Sequence, residues 1–169
     1  MANTQSMVTE FMGKLMTGTH NFGVGVVRAG TGADTYYGAL LLASGTFNAS
    51  SSNYTGTIGA TAMAGEVSGT GYTPGGVAIT NANPPTATNS SATAGVAFWT
   101  PSASITYTTV TLATAFDAVM IYNSTQGTGG AYPAVSIHTF GSQTITAGTF
   151  TLTMPSNTTS TALIRLATT

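Results

Sequence analysis

The chain reads as an all-β protein, and three features of its sequence predict this. Short runs rich in Val, Ile, Thr, Phe and Tyr recur through most of its 169 residues. Gly, Pro, Asn and Ser separate these runs at the spacing of a sandwich or barrel. Where alternation is clean, as in Thr149-Phe150-Thr151-Leu152-Thr153-Met154, one face is apolar and the other is threonine. The length suits a single domain spanning 1–169 with its own core, and a hydrophobic content of 42% argues against disorder. The chain has no cysteine, which leaves packing and strand pairing to hold the fold.

The first element departs from this pattern. Between Gln5 and Thr17 the apolar residues fall at helical spacing, with Met7, Phe11 and Leu15 in one row and Val8, Met12 and Met16 in the next. Glu10 and Lys14 stand four apart in the favourable order, and Gly18 ends the run. The spacing predicts a short amphipathic helix over 5–17 lying on the edge of a sandwich. Its methionines also suit a docking surface for a partner.

Beyond Gly18 the β-branched and aromatic runs predict strands near 21–28, 36–43, 63–67, 76–80, 95–99, 105–112, 118–122, 134–140, 149–153 and 162–166. This number exceeds the seven strands of a minimal immunoglobulin-like domain, so a jelly-roll sandwich is the expected architecture. Three stretches poor in aliphatic anchors, 45–59, 81–94 and 123–130, are expected as long loops, where binding segments and neighbour contacts concentrate.

Charge is scarce. Three Lys or Arg and four Asp or Glu make up 4% of the chain, with a net charge of −1, against roughly 25% charged residues in ordinary soluble domains. Thr fits a strand and carries a hydroxyl but no charge, so a threonine-faced sheet is both well patterned and neutral. Charge keeps independent proteins apart, and a surface this neutral predicts a chain that associates with copies of itself or with a larger assembly. Lys14, Arg28 and Arg165 cannot neutralise a row of phosphates, so neither nucleic acid nor an anionic membrane is an expected partner. The N-terminal residues have no basic segment followed by an apolar run, and nowhere do 18 apolar residues follow one another; neither a secretory signal nor a membrane span is expected.

The search for chemistry returns little. Hydroxyls aside, Glu10, Asp34, Glu66, Asp117, His20 and His138 are the side chains suited to acid, base or hard-metal roles, and none is paired in sequence. Alternation in Val135-Ser136-Ile137-His138-Thr139-Phe140 sets His138 beside Ser136 and Phe140, a structural position, while His20 reads as a turn residue. No nucleophile-elbow sequence supports a Ser/His/acid triad. The run Gly23-Val24-Gly25-Val26-Val27-Arg28 puts an arginine where a dinucleotide fingerprint needs its third glycine, and no lysine follows a glycine cluster as a phosphate loop requires. No enzymatic activity, metal or cofactor is therefore expected. Five Asn-x-Ser/Thr sequons, at Asn48, Asn53, Asn89, Asn123 and Asn157, are what a Ser/Thr-rich chain produces by chance. Phe11 and Met12 on the helix, with Tyr36, Tyr37, Tyr54, Tyr72 and Trp99, are the candidate interface anchors. Trp99 ends an apolar strand, where a core or rim role is favoured over a sugar platform.

The run Gly65-Glu66-Val67-Ser68-Gly69-Thr70-Gly71-Tyr72-Thr73-Pro74-Gly75-Gly76 resembles the EVSGTGYTxGG segment of small structural proteins encoded among the virion genes of tailed bacteriophages. Gly95-Val96-Ala97-Phe98 is similar to a GxAxF strand of that family, and Ala118-Val119-Met120-Ile121-Tyr122-Asn123 to its xALIYN strand. Residues 148–152 and 162–166 resemble its closing hairpin. The likeness covers most of the chain after Gly65, which departs from the family in having little Asp and Lys and a long Thr/Ser/Ala stretch over 46–62. The resemblance implies a non-catalytic virion component. A capsid decoration or cement protein is favoured, bound as a homo-oligomer to the major capsid protein on the outer surface of the head; a tail or head-fibre component with glycan affinity is the alternative.

Overall fold

The structure, a computed structural model, describes residues 2–20, 22, 33–80, 83–90, 93–127 and 129–167. It is an all-β sandwich with one short helix, as the alternation and turn punctuation predict. In chain order the elements are β1 (Ser6–Met7), α1 (Thr9–Met16), β2 (Tyr36–Leu42), β3 (Asn53–Tyr54), β4 (Val77–Ala78), β5 (Thr86–Ser90), β6 (Thr93–Trp99), β7 (Ile105–Asn123), β8 (Tyr132–Leu152) and β9 (Ile164–Ala167). One antiparallel sheet runs β1-β8-β7-β2-β4, with β3 also on β8, and a smaller one runs β5-β6-β9.

The hairpin of β7 and β8 dominates. Four of the expected short strands are halves of these two, so the strand count on which the jelly-roll expectation rested is lower. The hairpin is also bent back on itself. Phe140 and Phe150 are ten residues apart on β8, which in a straight strand means roughly 33 Å, yet their ring centroids lie 5.2 Å apart. Register shifts at Leu112/Phe116 and Phe116/Ala118 supply the bend. Thr109 and Ala147 hold left-handed backbone at φ 54° and 47° beside two further shifts, and the Ala147 N–H donates to Thr111 Oγ1 at 3.0 Å. The first half of β7 thus lies across β2: Tyr107 donates its hydroxyl to the Gly38 carbonyl at 2.7 Å. A methyl on Gly38 would meet Ile105, Tyr107 and Val119 within 3.3 Å.

With the folded-back hairpin, the 54–76 segment and α1 packed around the central strands, Leu40, Leu41, residues 118–123 of β7 and residues 133–137 of β8 are all buried. Such segments read as continuous apolar runs rather than alternations. The 149–154 stretch keeps one face in water, and there Thr149, Thr151 and Thr153 are exposed while Phe150, Leu152 and Met154 turn inward, as expected.

Four expectations need correction. The helix begins at Thr9 rather than Gln5, because Ser6 and Met7 pair with Ile137 and Ser136 as a strand. Residues 63–67 form a turn, closed by the Glu66 N–H on the Met63 carbonyl at 3.0 Å, with only a single bridge from Glu66 to Leu41. The 45–59 loop contains β3, pinned by a fully buried Tyr54, and the 81–94 loop contains β5, paired with β6. The strand expected at 21–28 lies outside the described residues except for Phe22.

Candidate functional site

The most elaborate polar cluster surrounds Glu66, which is 5% exposed. One carboxylate oxygen accepts from the Tyr54 hydroxyl at 2.7 Å and the Met63 N–H at 2.9 Å. The other accepts from the Tyr72 hydroxyl and the Gly75 N–H, both at 2.7 Å. Tyr72 in turn accepts the Leu40 N–H at 3.1 Å, which directs its own proton to Glu66. Burial first, and the Glu66 charge with it, raises the pKa values of Tyr54, Tyr72 and Tyr107, so all three are neutral hydroxyl donors. Each carboxylate oxygen is filled by two donors and no cation is among them. Such a group holds a loop; it has no free lone pair to offer a substrate.

This cluster gives a physical meaning to Glu66-Val67-Ser68-Gly69-Thr70-Gly71-Tyr72-Thr73-Pro74-Gly75. Its first residue bonds the hydroxyl of its seventh and the backbone of its tenth, so the segment closes on itself. The Gly75 carbonyl then accepts from Tyr122, at 2.8 Å, locking the loop to β7.

A second cluster sits at the start of β2. Buried Asn123 donates to Asp34 at 2.7 Å and lies 3.1 Å from His20 Nδ1. Gln126 donates to the other Asp34 oxygen at 2.9 Å, and the side-chain Oδ1 of Asn123 accepts the N–H groups of Thr125 and Gln126. The cluster ties residues 123–126 to residue 34. Among the described residues no group of His, Asp or Glu is arranged to hold a metal ion.

His138 occupies a different setting. As alternation predicts, it stands beside Ser136, whose Oγ lies 2.8 Å from its Nε2. Burial lowers its pKa from 6.5 to about 4. Ser136 is buried, and among the described residues no carboxylate bonds the histidine, so the pair lacks the orienting acid of a triad. The ring lines two adjoining clefts of about 300 and about 310 Å³ between β1, β8 and the 153–165 segment. Sequence pattern placed Ser136 and His138 on one face; the opposing wall depends on the bend in β8 and on long-range packing.

The seven candidate interface residues divide sharply. Phe11, Tyr36, Tyr54, Tyr72 and Trp99 are buried in the chain's own core, which for Trp99 is the role its place at the end of an apolar strand favours. Phe22 stacks on Tyr36 at 4.7 Å and meets Trp99 at 4.7 Å; Tyr54 stacks on Tyr122 at 4.4 Å. Aromatics of this size bury most area inside a small core, and their polar atoms find partners there: Trp99 Nε1 donates to the Asn83 carbonyl at 3.0 Å. Tyr37 is partly buried. Met12 is 46% exposed and its neighbour Met16 87%, because Met7, Phe11 and Leu15 form the row that turns inward.

The charges are spent on partners within the chain, whether buried or at the surface. Glu10 and Lys14 bridge each other at 2.9 Å, Asp34 and Glu66 are buried in their clusters, and Asp117 accepts from Asn3 at 2.6 Å. Arg165 donates to the Thr159 carbonyl at 2.6 Å. Every charged side chain among the described residues is thus bonded within the chain; Arg28 lies outside them. No helix among these residues is long and apolar enough to cross a membrane. No protein-family model, curated protein or solved structure matches the chain.

Proposed function

We propose that this chain is a non-catalytic structural component of a tailed bacteriophage particle, a decoration or cement protein that oligomerises on the outer surface of the head and reinforces it. The observation that carries this reading is the state of the charges: few in number, and bonded inside the chain wherever they are described. Beside the exposed Glu10 and Arg165, what faces a partner is mostly threonine, serine, asparagine and backbone, with Met12, Met16 and Leu166 as exposed apolar side chains. Such a surface adheres through many uncharged hydrogen bonds and packed apolar contacts. The likeness of the 65–76 segment to phage virion proteins points the same way by a separate route. Because that segment is consumed in closing its own loop, the likeness concerns architecture, and the surface concerns function.

Contacts crossed by few charges respond weakly to ionic strength. Particles washed with increasing salt should therefore keep the protein, as followed by gel densitometry of the pelleted particles. Release by moderate salt alone would contradict adhesion of this kind.

A further inference from the structure

We propose that the cleft around His138 binds a neutral, hydroxyl-rich molecule the size of one sugar ring. The inference goes beyond the assembly role and stands whether or not that assignment holds. Its two chambers share Gln5, His138 and Leu163 in their walls and so form one continuous depression. Each chamber alone reaches the lower end of the size range of small-molecule sites, about 300 Å³.

The lining selects the ligand class. Leu152, Met154, Pro155 and Leu163 supply an apolar wall, while Gln5, Thr153 and Thr161 bring an amide and hydroxyls. Amide and hydroxyl groups both donate and accept, which matches a ring of hydroxyls better than it matches an anion or a hydrocarbon. His138 is uncharged above about pH 4 and spends Nε2 on Ser136. No protein group among the described residues bonds Nδ1, which leaves it for a ligand. The one formal charge in the lining is Arg165, at the edge shared with Ile164 and bonded through Nε to the Thr159 carbonyl, a single cation among neutral groups. A carboxylate or phosphate would find neither a second cation nor a helix terminus here.

The test is a titration of histidine- and methionine-labelled protein with glucose, galactose, mannose and N-acetylglucosamine, followed by NMR at the His138 ring and the Met154 methyl. His20, in the cluster with Asn123, is the internal control. At least one sugar should shift His138 and Met154 saturably while His20 stays in place. Gln5→Ala, which removes a lining amide that makes no hydrogen bond to the protein among the described residues, should weaken binding about tenfold or more, as should His138→Phe. Equal affinity for the methyl glycoside identifies the end of a glycan chain as the ligand, and loss on methylation identifies the free sugar; both outcomes support the site. Absence of a saturable His138 shift with all four sugars, or affinity unchanged in Gln5→Ala, would overturn it.

Discussion

Glu66 is the residue on which most of the central loop depends. Removing its carboxylate strands two hydroxyls and two N–H groups, all buried, and each stranded donor costs on the order of 1–3 kcal/mol. Glu66→Ala should therefore destabilise the protein by about 4 kcal/mol or more, and Glu66→Gln, which turns one acceptor oxygen into a donor facing donors, by about 2–3 kcal/mol. Tyr72→Phe should lose about 1–2 kcal/mol. Urea midpoints measure all three, and a Glu66→Gln midpoint equal to the parent's would contradict the assignment. His138 supplies a pH signature. Its folded pKa of about 4 lies below 6.5, so the unfolded chain binds the proton more readily and stability falls as pH drops through that interval. The contribution, on the order of 3 kcal/mol at most, is complete above pH 6.5 and gone below about 4. His138→Gln should flatten the stability curve between those values. At this scale the sequence disclosed the placement of Ser136 and His138, because strand alternation is local. It could not disclose that Glu66 would meet Tyr54 and Tyr72, since those contacts depend on where three loops converge.

At the scale of elements the decisive feature is the bent hairpin. Its bulges fold β7 and β8 back over β2, and the turn-rich 65–76 segment wedges against them through glycines. Gly76 holds φ +78°, and a Cβ there would run into the Gly38 carbonyl. Gly76→Ala should cost more than about 3 kcal/mol, read as a lowered thermal midpoint, because neither backbone can withdraw without breaking β2 from β4. An unchanged midpoint would mean that β2 does not seat against this turn. Strand propensity found most of the strands in β2, β6, β7, β8 and β9 but split the long ones, because a bulge and a turn look alike where Ala113-Thr114-Ala115 or Gly141-Ser142-Gln143 interrupts a run. The helix start was misplaced for a related reason: Ser6 and Met7 fit a helical row, yet pairing with β8 takes them first.

For the whole molecule, composition was the most legible property, and the structure sharpens it. Scarcity of charge alone left open where the few charges lie; in the fold they are buried or bonded to neighbours, and five of the seven candidate anchors are buried in the core. The surface left to a partner carries few charges, the exposed Glu10 and Arg165 among them, and is mostly hydroxyls, amides and backbone with methionines on one helix, suited to permanent contact over a large particle. The measurement that tests a decoration role most directly is the number of copies per virion, by quantitative gel or by electron microscopy. A decoration protein predicts on the order of hundreds of copies spread over the head in proportion to capsid subunits. A few to some tens of copies confined to the tail or to one vertex would contradict it.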